Sequence, residues 1–319
     1  MGPNQFAYCP GRGSRDAILL YLITWIIAID LGNKVGAFCS DVSGAFDHVP
    51  SSRLLRKLCS KGLHLDILRV ISSWLEPRPA CVVVEGCSSS GLGISNMVFQ
   101  GTVWGATLWN SFFEDARRAI TSSQFAEIVY ADDLNCYRAF PRCTPSQVVM
   151  DSIDECQTSL HAWGRANQVR FDASKENKLI LDPHEPVGPT VKLLGILIDP
   201  DLRMVSAIND CAQEASWRLR TLLRSRRFFT NREILLHFKS HVLSHIEYRT
   251  PGIFHASTTA LRPVDNILSC LLRDLDISLD ACLHEFNLAS LSTRRDIAML
   301  AVIHRAVLHK GPPHFFPFF

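Results

Sequence analysis

The sequence predicts an α+β fold followed by a helical C-terminal region. Three observations carry that expectation. Short β-rich runs alternate with helical stretches, without the regular repetition that builds a parallel sheet. Two of those runs, 128–130 and 134–137, lie close enough to form a hairpin around Ala131, Asp132 and Asp133. From Thr230 onward the pattern is mostly helical. The 319 residues are 47% hydrophobic and 20% charged, which gives a globular core and excludes a disordered, collagen-like or coiled-coil chain. A net charge of +2 gives no strong overall field, so any basic surface must come from local clustering.

The elements follow in order. The apolar run 17–29, closed by Asp16 and Asp30, is too short for a membrane span and reads as a buried helix over 16–31, ended by Gly32 and Asn33. Residues 34–41 read as a buried strand. Ser51 or Ser52 caps a helix that runs to Gly62, and a second helix covers 65–75 before Pro77 and Pro79. The β-branched stretch 81–85 predicts a strand, 86–91 a turn, and 105–120 a helix apolar on one side. Thr144, Pro145 and Gln147 have the spacing of a capping box that opens a helix to about Asn167. Strands are expected over 178–181 and 192–198. Thr230 and Glu233 form a second capping box, for a helix to about Tyr248, and Thr250-Pro251-Gly252 marks a boundary.

No signal peptide is visible, Ser or Thr is missing at the position a myristoylation signal requires, and none of the eleven cysteines has CxxC spacing. Reduced thiols in an intracellular protein, in the cytoplasm or nucleus, are the expectation. The apolar C-terminal tail suggests a fragment of a longer chain or a bound partner.

Asp41 ends a strand, and Asp132 and Asp133 occupy a hairpin tip. Neighbouring strands would bring them to one sheet edge, where carboxylates repel and call for cations. Mg²⁺ takes carboxylate oxygens together with substrate phosphates, and paired ions suit in-line phosphoryl displacement. A single Asp in a turn is ordinarily a solvated cap; the ordered set of motifs around these three is what sharpens the reading.

That set resembles reverse transcriptases of non-LTR (LINE-like) retrotransposons. Asp41-Val42-Ser43-Gly44-Ala45-Phe46-Asp47 resembles motif A, Phe99-Gln100-Gly101-Thr102 with Gly105 motif B, and Tyr130-Ala131-Asp132-Asp133 motif C. Phe171-Asp172-Ala173-Ser174-Lys175 is similar to motif D and Lys192-Leu193-Leu194-Gly195-Ile196 to motif E. Gln5-Phe6-Ala7-Tyr8 with Gly11-Arg12-Gly13-Ser14 and Asp16-Ala17 is similar to the segment before motif A. Fifty-nine residues separate Asp41 from Gln100, as in non-LTR elements rather than the shorter retroviral arrangement. Phe99 and Ala106 stand where the family usually has proline, which bears on backbone shape more than on chemistry. The family's earlier fingers motifs would precede Gln5, and no endonuclease domain or zinc knuckle is recognisable.

The resemblance implies a polymerase palm, an antiparallel sheet backed by helices, with a helical thumb and a helical C-terminal extension: late fingers over 1–33, palm over 34–205, thumb-like basic helices over 206–250, extension over 251–319. It implies RNA-directed addition of dNTPs to a primer 3′-hydroxyl, with two Mg²⁺ (or Mn²⁺) ions held by Asp41, Asp132, Asp133 and the carbonyl of Val42, and with RNA template and DNA primer as partners. Phe46 becomes the steric gate against a ribose 2′-hydroxyl; the residue alone would read as a core aromatic. Gln100 and Gly101 line the nucleotide pocket. Lys175 is either the general acid for pyrophosphate or a solvated lysine, and Arg12 either a template or phosphate contact or a turn arginine. Arg218, Arg220, Arg224, Arg226, Arg227 and Arg232, interleaved with Trp217, Phe228 and Phe229, suit a nucleic-acid backbone or a solvated helical face. His237, His241 and His245 read as a packed or phosphate-facing stripe. The alternative function is a catalytically inert nucleic-acid-binding remnant. An RNA-dependent RNA polymerase is disfavoured by Tyr130-Ala131 before the acids and by the bulky Phe46.

Overall fold

A computed structural model describes residues 2–318, so the first residue of the late-fingers segment and the last of the extension lie outside it. The chain runs α1 (Ser14–Asp30), β1 (Asn33–Ser40), α2 (Ser51–Ser60), α3 (Leu65–Trp74), then four short strands β2 (Arg78–Ala80), β3 (Val83–Val84), β4 (Cys87–Ser88) and β5 (Leu92–Ile94). It continues with α4 (Val103–Phe113), α5 (Ala116–Ser122), β6 (Ala126–Tyr130), β7 (Asp133–Pro141), α6 (Ser146–Asn167), β8 (Asn177–Leu181), β9 (Val191–Leu193) and β10 (Ile196–Ile198). Helices complete it: α7 (Val205–Arg224), α8 (Asn231–Phe238), α9 (Ser244–Ile253), α10 (Thr258–Leu275), α11 (Leu279–Phe286) and α12 (Leu291–Val307). The fold class is the α+β arrangement expected. Among the described residues no helix is long and apolar enough to cross a membrane.

The chain clusters into two compact units, 1–10 with 35–179 and 11–34 with 180–319. This is a different division from palm, thumb and extension boundaries at 33/34, 205/206 and 250/251. In the second unit α1, apolar on nearly every side, packs against α9 and so groups with the C-terminal helices.

The first unit is built on a sheet of order β6-β7-β1-β8. β6 and β7 pair antiparallel, with Tyr130 opposite Asp133, so the hairpin loop is Ala131 and Asp132 alone and Asp133 already opens a strand. Asn4–Phe6 lies parallel beside β6: Phe6 N–H donates to the Val129 carbonyl (2.8 Å) and Val129 N–H to the Asn4 carbonyl (3.0 Å). β1 is buried almost end to end. Gly36 is what lets α6 lie on it, since a Cβ there would meet Val149 Cγ1 at 2.8 Å and Phe140 Cε2 at 3.1 Å. Gly36→Ala is expected to cost about 1–3 kcal/mol by overpacking, read as a lowered urea midpoint with an unchanged slope.

Several local expectations need correcting. The strand expected over 81–85 is instead two nested ladders, β2 with β5 and β3 with β4, closed by Glu85 and Gly86, both at positive φ. Two-residue hairpin loops of that hand match the twist of the flanking strands, and Val82, Val83 and Val84 are exposed there. The helix over 105–120 breaks into α4 and α5 around Glu114 and Asp115, which pair with Lys61 and Lys57. Residues 192–198 form a hairpin, not one strand. The first capping box is not formed: Pro145 is the N-cap, and Gln147 Nε2 donates to Asp151 Oδ1 instead (2.8 Å). The second is formed, with Thr230 N–H donating to Glu233 Oε2 (2.8 Å).

Thr250-Pro251-Gly252 is not a break. All three are buried in the last turns of α9, and a Cβ on Gly252 would meet Ile196 Cδ1 at 2.8 Å. The glycine allows β10 and α9 to approach, and the proline sits where the helix is about to end.

Candidate active site

β1 and β7 are neighbours in the sheet, and this brings Asp41, one residue past the end of β1, towards the hairpin that carries Asp132 and Asp133. The electrostatics report the convergence. Burial pushes the Asp133 carboxyl up to about 6, and the charges of Asp132 and Asp41 push it further the same way. Asp132 is raised as well, first by burial and then by Asp41. Asp132 and Asp133, half-buried beside Asp41, therefore resist ionisation.

The one ammonium among them is Lys175. Its Nζ lies 2.5 Å from Asp41 Oδ2 and 4.0 Å from Asp172 Oδ2, and these pairings raise its pKa. Local backbone explains why it reaches that position. Val42 and Phe171 form an antiparallel bridge, in which Asp172 N–H donates to the Asp41 carbonyl (3.0 Å) and Ser43 N–H to the Arg170 carbonyl (2.9 Å). Val42's own carbonyl takes no part in those two bonds. Glu176, next to Lys175, is anchored beneath: its carboxylate lies 2.6 Å from His161 Nε2 and accepts from Gln157 Nε2 at 2.7 Å. The His161 ring stacks on Phe171 at 5.3 Å. Gln157 and His161 share a face of α6 at i, i+4 spacing, but nothing in the sequence says that Glu176 lies against them.

Phe46 sits in a one-turn 3₁₀ segment, Ala45–Asp47, that Val98 N–H fixes by donating to the Phe46 carbonyl (2.9 Å). Its half-buried ring stacks on the fully buried Trp109 (centroids 5.8 Å) and meets Tyr8 edge-on (6.4 Å). Burial raises the Tyr8 phenol, and the Asp132 charge adds to the shift. Gln100 is exposed, with Nε2 3.4 Å from both Asp47 carboxylate oxygens, and Gly101 follows at φ 76°. Motif B is thus held against motif A without proline at 99.

Hard oxygen donors make Asp41, Asp132, Asp133 and the Val42 carbonyl a fitting set for a hard divalent cation. They are not yet gathered as ligands. Among the described residues no three His, Cys, Asp or Glu side chains stand ready to hold a metal, and Lys175 occupies Asp41.

In the second unit, Arg12 lies in the turn before α1. Arg220, Arg224, Arg226, Arg227 and Arg232 are exposed, with Arg226 Nη1 also donating to the Asp274 carbonyl (3.1 Å). Arg218 is tied to Glu214 (2.8 Å). Trp217 and Phe228 are exposed beside them. The His237 and His241 rings stack at 6.0 Å, while burial and then the Arg249 charge push His245 down to about 4. His237 and His245 are half-buried and His241 is exposed, so the stripe is only partly packed.

An acid-tipped hairpin lies next to a second acidic strand end in an α+β fold. The reverse transcriptase (RNA-dependent DNA polymerase) family matches residues 1–198, and the chain belongs to that family. It is similar to the RNA-directed DNA polymerase from mobile element jockey of Drosophila funebris, 28% identical over 179 residues, which are 54% of this chain and 19% of that protein. The chain spans about a fifth of the length of that curated relative. The domain is thus a reverse transcriptase domain related to a non-LTR retrotransposon polymerase. Members of the family use divalent metal ions and bind a nucleic-acid template and primer. A Candida albicans telomerase structure in complex with a telomeric RNA fragment aligns at a TM-score of 0.42 and 11% identity, over 84% of this chain and 52% of that one.

Proposed function

We propose that this chain supplies the late fingers, palm and thumb of an RNA-directed DNA polymerase that adds dNTPs to a primer 3′-hydroxyl. The observation that supports it best is the adjacency of β1 and β7, which brings Asp41 to the hairpin of Asp132 and Asp133, whose carboxyls are raised by burial and by the Asp41 charge. Asp41, Asp132, Asp133 and the Val42 carbonyl would hold two Mg²⁺ ions. Those ions supply Lewis acidity, activating the 3′-hydroxyl and neutralising charge on the triphosphate.

The chain's own residues divide the remaining work. Phe46, backed by Trp109, occupies space where a 2′-hydroxyl would project. Gln100 and Gly101 border the incoming nucleotide, with Arg12 a further phosphate or template contact. Lys175 keeps its proton more firmly than a free lysine and can donate it to the departing pyrophosphate once Asp41 is otherwise engaged.

Primer extension on an RNA template with Mg²⁺ tests the proposal. Template-dependent dNTP incorporation supports it. Salt-sensitive RNA binding without incorporation would favour the inert remnant.

Residues 206–250 would act as the thumb, with Arg218, Arg220, Arg224, Arg226, Arg227 and Arg232 along the nucleic-acid backbone. Replacing Arg224, Arg227 and Arg232 by Gln is expected to weaken binding of an RNA–DNA hybrid evenly across sequences. The salt slope should fall by roughly one for each phosphate that is no longer neutralised. An unchanged slope in filter-binding or anisotropy titrations would remove this surface from the interface.

A further inference from the structure

We infer that Gln5, assisted by Trp109, is a positioning residue that clamps the hairpin turn carrying Asp132 and Asp133. The inference rests on the reading of those two aspartates as metal-holding residues.

The turn has a conformational problem. Ala131 sits at φ 58°, in the left-handed region that a Cβ disfavours, at the first position of a two-residue hairpin loop. Loops of this kind ordinarily take Gly, Asn or Asp there. A strained residue of this sort persists where its surroundings over-determine it.

Here the surroundings are three hydrogen bonds to one residue. Ala131 N–H donates to Gln5 Oε1 (2.9 Å). The Ala131 carbonyl accepts from Gln5 Nε2 (3.2 Å) and from Trp109 Nε1 (3.0 Å). Gln5 Oε1 also accepts from Ala7 N–H (3.0 Å), so the carboxamide has one orientation that satisfies every partner. Both side chains are buried, Gln5 at 6% and Trp109 at 0% exposure. Gln5 is itself fixed in place, because Asn4 and Phe6 on either side of it bond to Val129 in β6.

The chemistry is selective for glutamine. Leu keeps the bulk and loses both bonds to Ala131 as well as the one from Ala7 N–H. Glu has no N–H for the Ala131 carbonyl and would bring a further negative charge to a site that already repels its own. Trp109 adds a link of a different kind, because the same indole that bonds the turn stacks on Phe46. The acids and the aromatic wall are thereby referenced to one buried side chain.

If the clamp holds the turn against its strain, it should matter only while the strain exists. Glycine adopts the left-handed conformation without penalty. The test is therefore Gln5→Leu made in two backgrounds, the natural chain and Ala131→Gly. Mn²⁺ binding is read by electron paramagnetic resonance and stability by urea unfolding.

In the natural background Gln5→Leu is expected to weaken Mn²⁺ binding about tenfold. In the Ala131→Gly background the same change should cost less than about threefold, and the stability loss should shrink in parallel. Trp109→Phe, which removes the indole N–H together with part of the buried ring, serves if Gln5→Leu does not fold; a smaller weakening of Mn²⁺ binding, whose N–H share is again relieved by Ala131→Gly, is expected.

Equal losses in the two backgrounds, or unchanged Mn²⁺ affinity in a folded Gln5→Leu chain, would overturn the clamp. A natural chain that binds no Mn²⁺, yet shows the background-dependent stability loss, would instead overturn the metal assignment of Asp132 and Asp133 and leave the clamp standing.

Discussion

Asp132→Asn is expected to lower nucleotide incorporation about a thousandfold, since a metal-holding carboxylate supplies several kcal/mol of transition-state charge stabilisation. The same substitution should make the metal-free chain more stable. Asp132 and Asp133 are both held above their ordinary pKa, by burial first and by neighbouring carboxylates second. A carboxyl whose folded pKa is raised favours the fold in its protonated form. Its contribution is fully present below the unfolded value and is lost as pH rises through the folded one. For Asp133 that window runs from 3.8 to about 6. The natural chain in EDTA should therefore lose thermal stability across that interval, and Mg²⁺ should restore more of it at pH 7.5 than at pH 5. Asn at 132 removes one repelling charge, so both the loss and the Mg²⁺ response should shrink while incorporation collapses. Differential scanning fluorimetry across pH, with and without Mg²⁺, reads the stability arm. Activity and metal-free stability falling together would mean that Asp132 is a structural residue.

The sequence made the acids readable because each stands at the end of a β-rich run, a pattern that survives without knowledge of the partner strand. It could not announce Gln5 as a partner of Ala131, since 126 residues separate them and an alanine does not advertise a left-handed backbone. His161 and Glu176 escaped notice for a related reason: their pairing depends on how α6 lies against the segment before β8. Punctuation residues misled where burial overrode them. Pro251 and Gly252 resemble a boundary, yet the missing glycine side chain is what admits Ile196. Thr144 has the right spacing for a capping box, but Pro145 takes the N-cap and leaves Gln147 to its own helix face. The grouping of α1 with α9 was also beyond local reading, because an all-round apolar helix says that it is buried and not against what.

Phe46→Ala should relax discrimination between deoxynucleotides and ribonucleotides by about a hundredfold, the scale on which a pocket distinguishes substrates by bulk. The geometry makes the variant interpretable. The 3₁₀ turn that carries Phe46 is fixed through its backbone by Val98, so truncating the ring does not release the segment. Trp109 remains as the wall behind, pinned by its bond to Ala131 and by stacking on Phe113 at 5.0 Å. The ring that is removed lies between the exposed Tyr8 and the buried Trp109. Single-turnover incorporation of a matched dNTP and rNTP reads the ratio directly. Deoxynucleotide incorporation should fall far less than ribonucleotide incorporation rises, because only the rejected substrate met the ring. An unchanged ratio would make Phe46 a shelf for Trp109 and Tyr8 and move the exclusion of the 2′-hydroxyl to another residue, Tyr8 being the nearest aromatic with access to the same space.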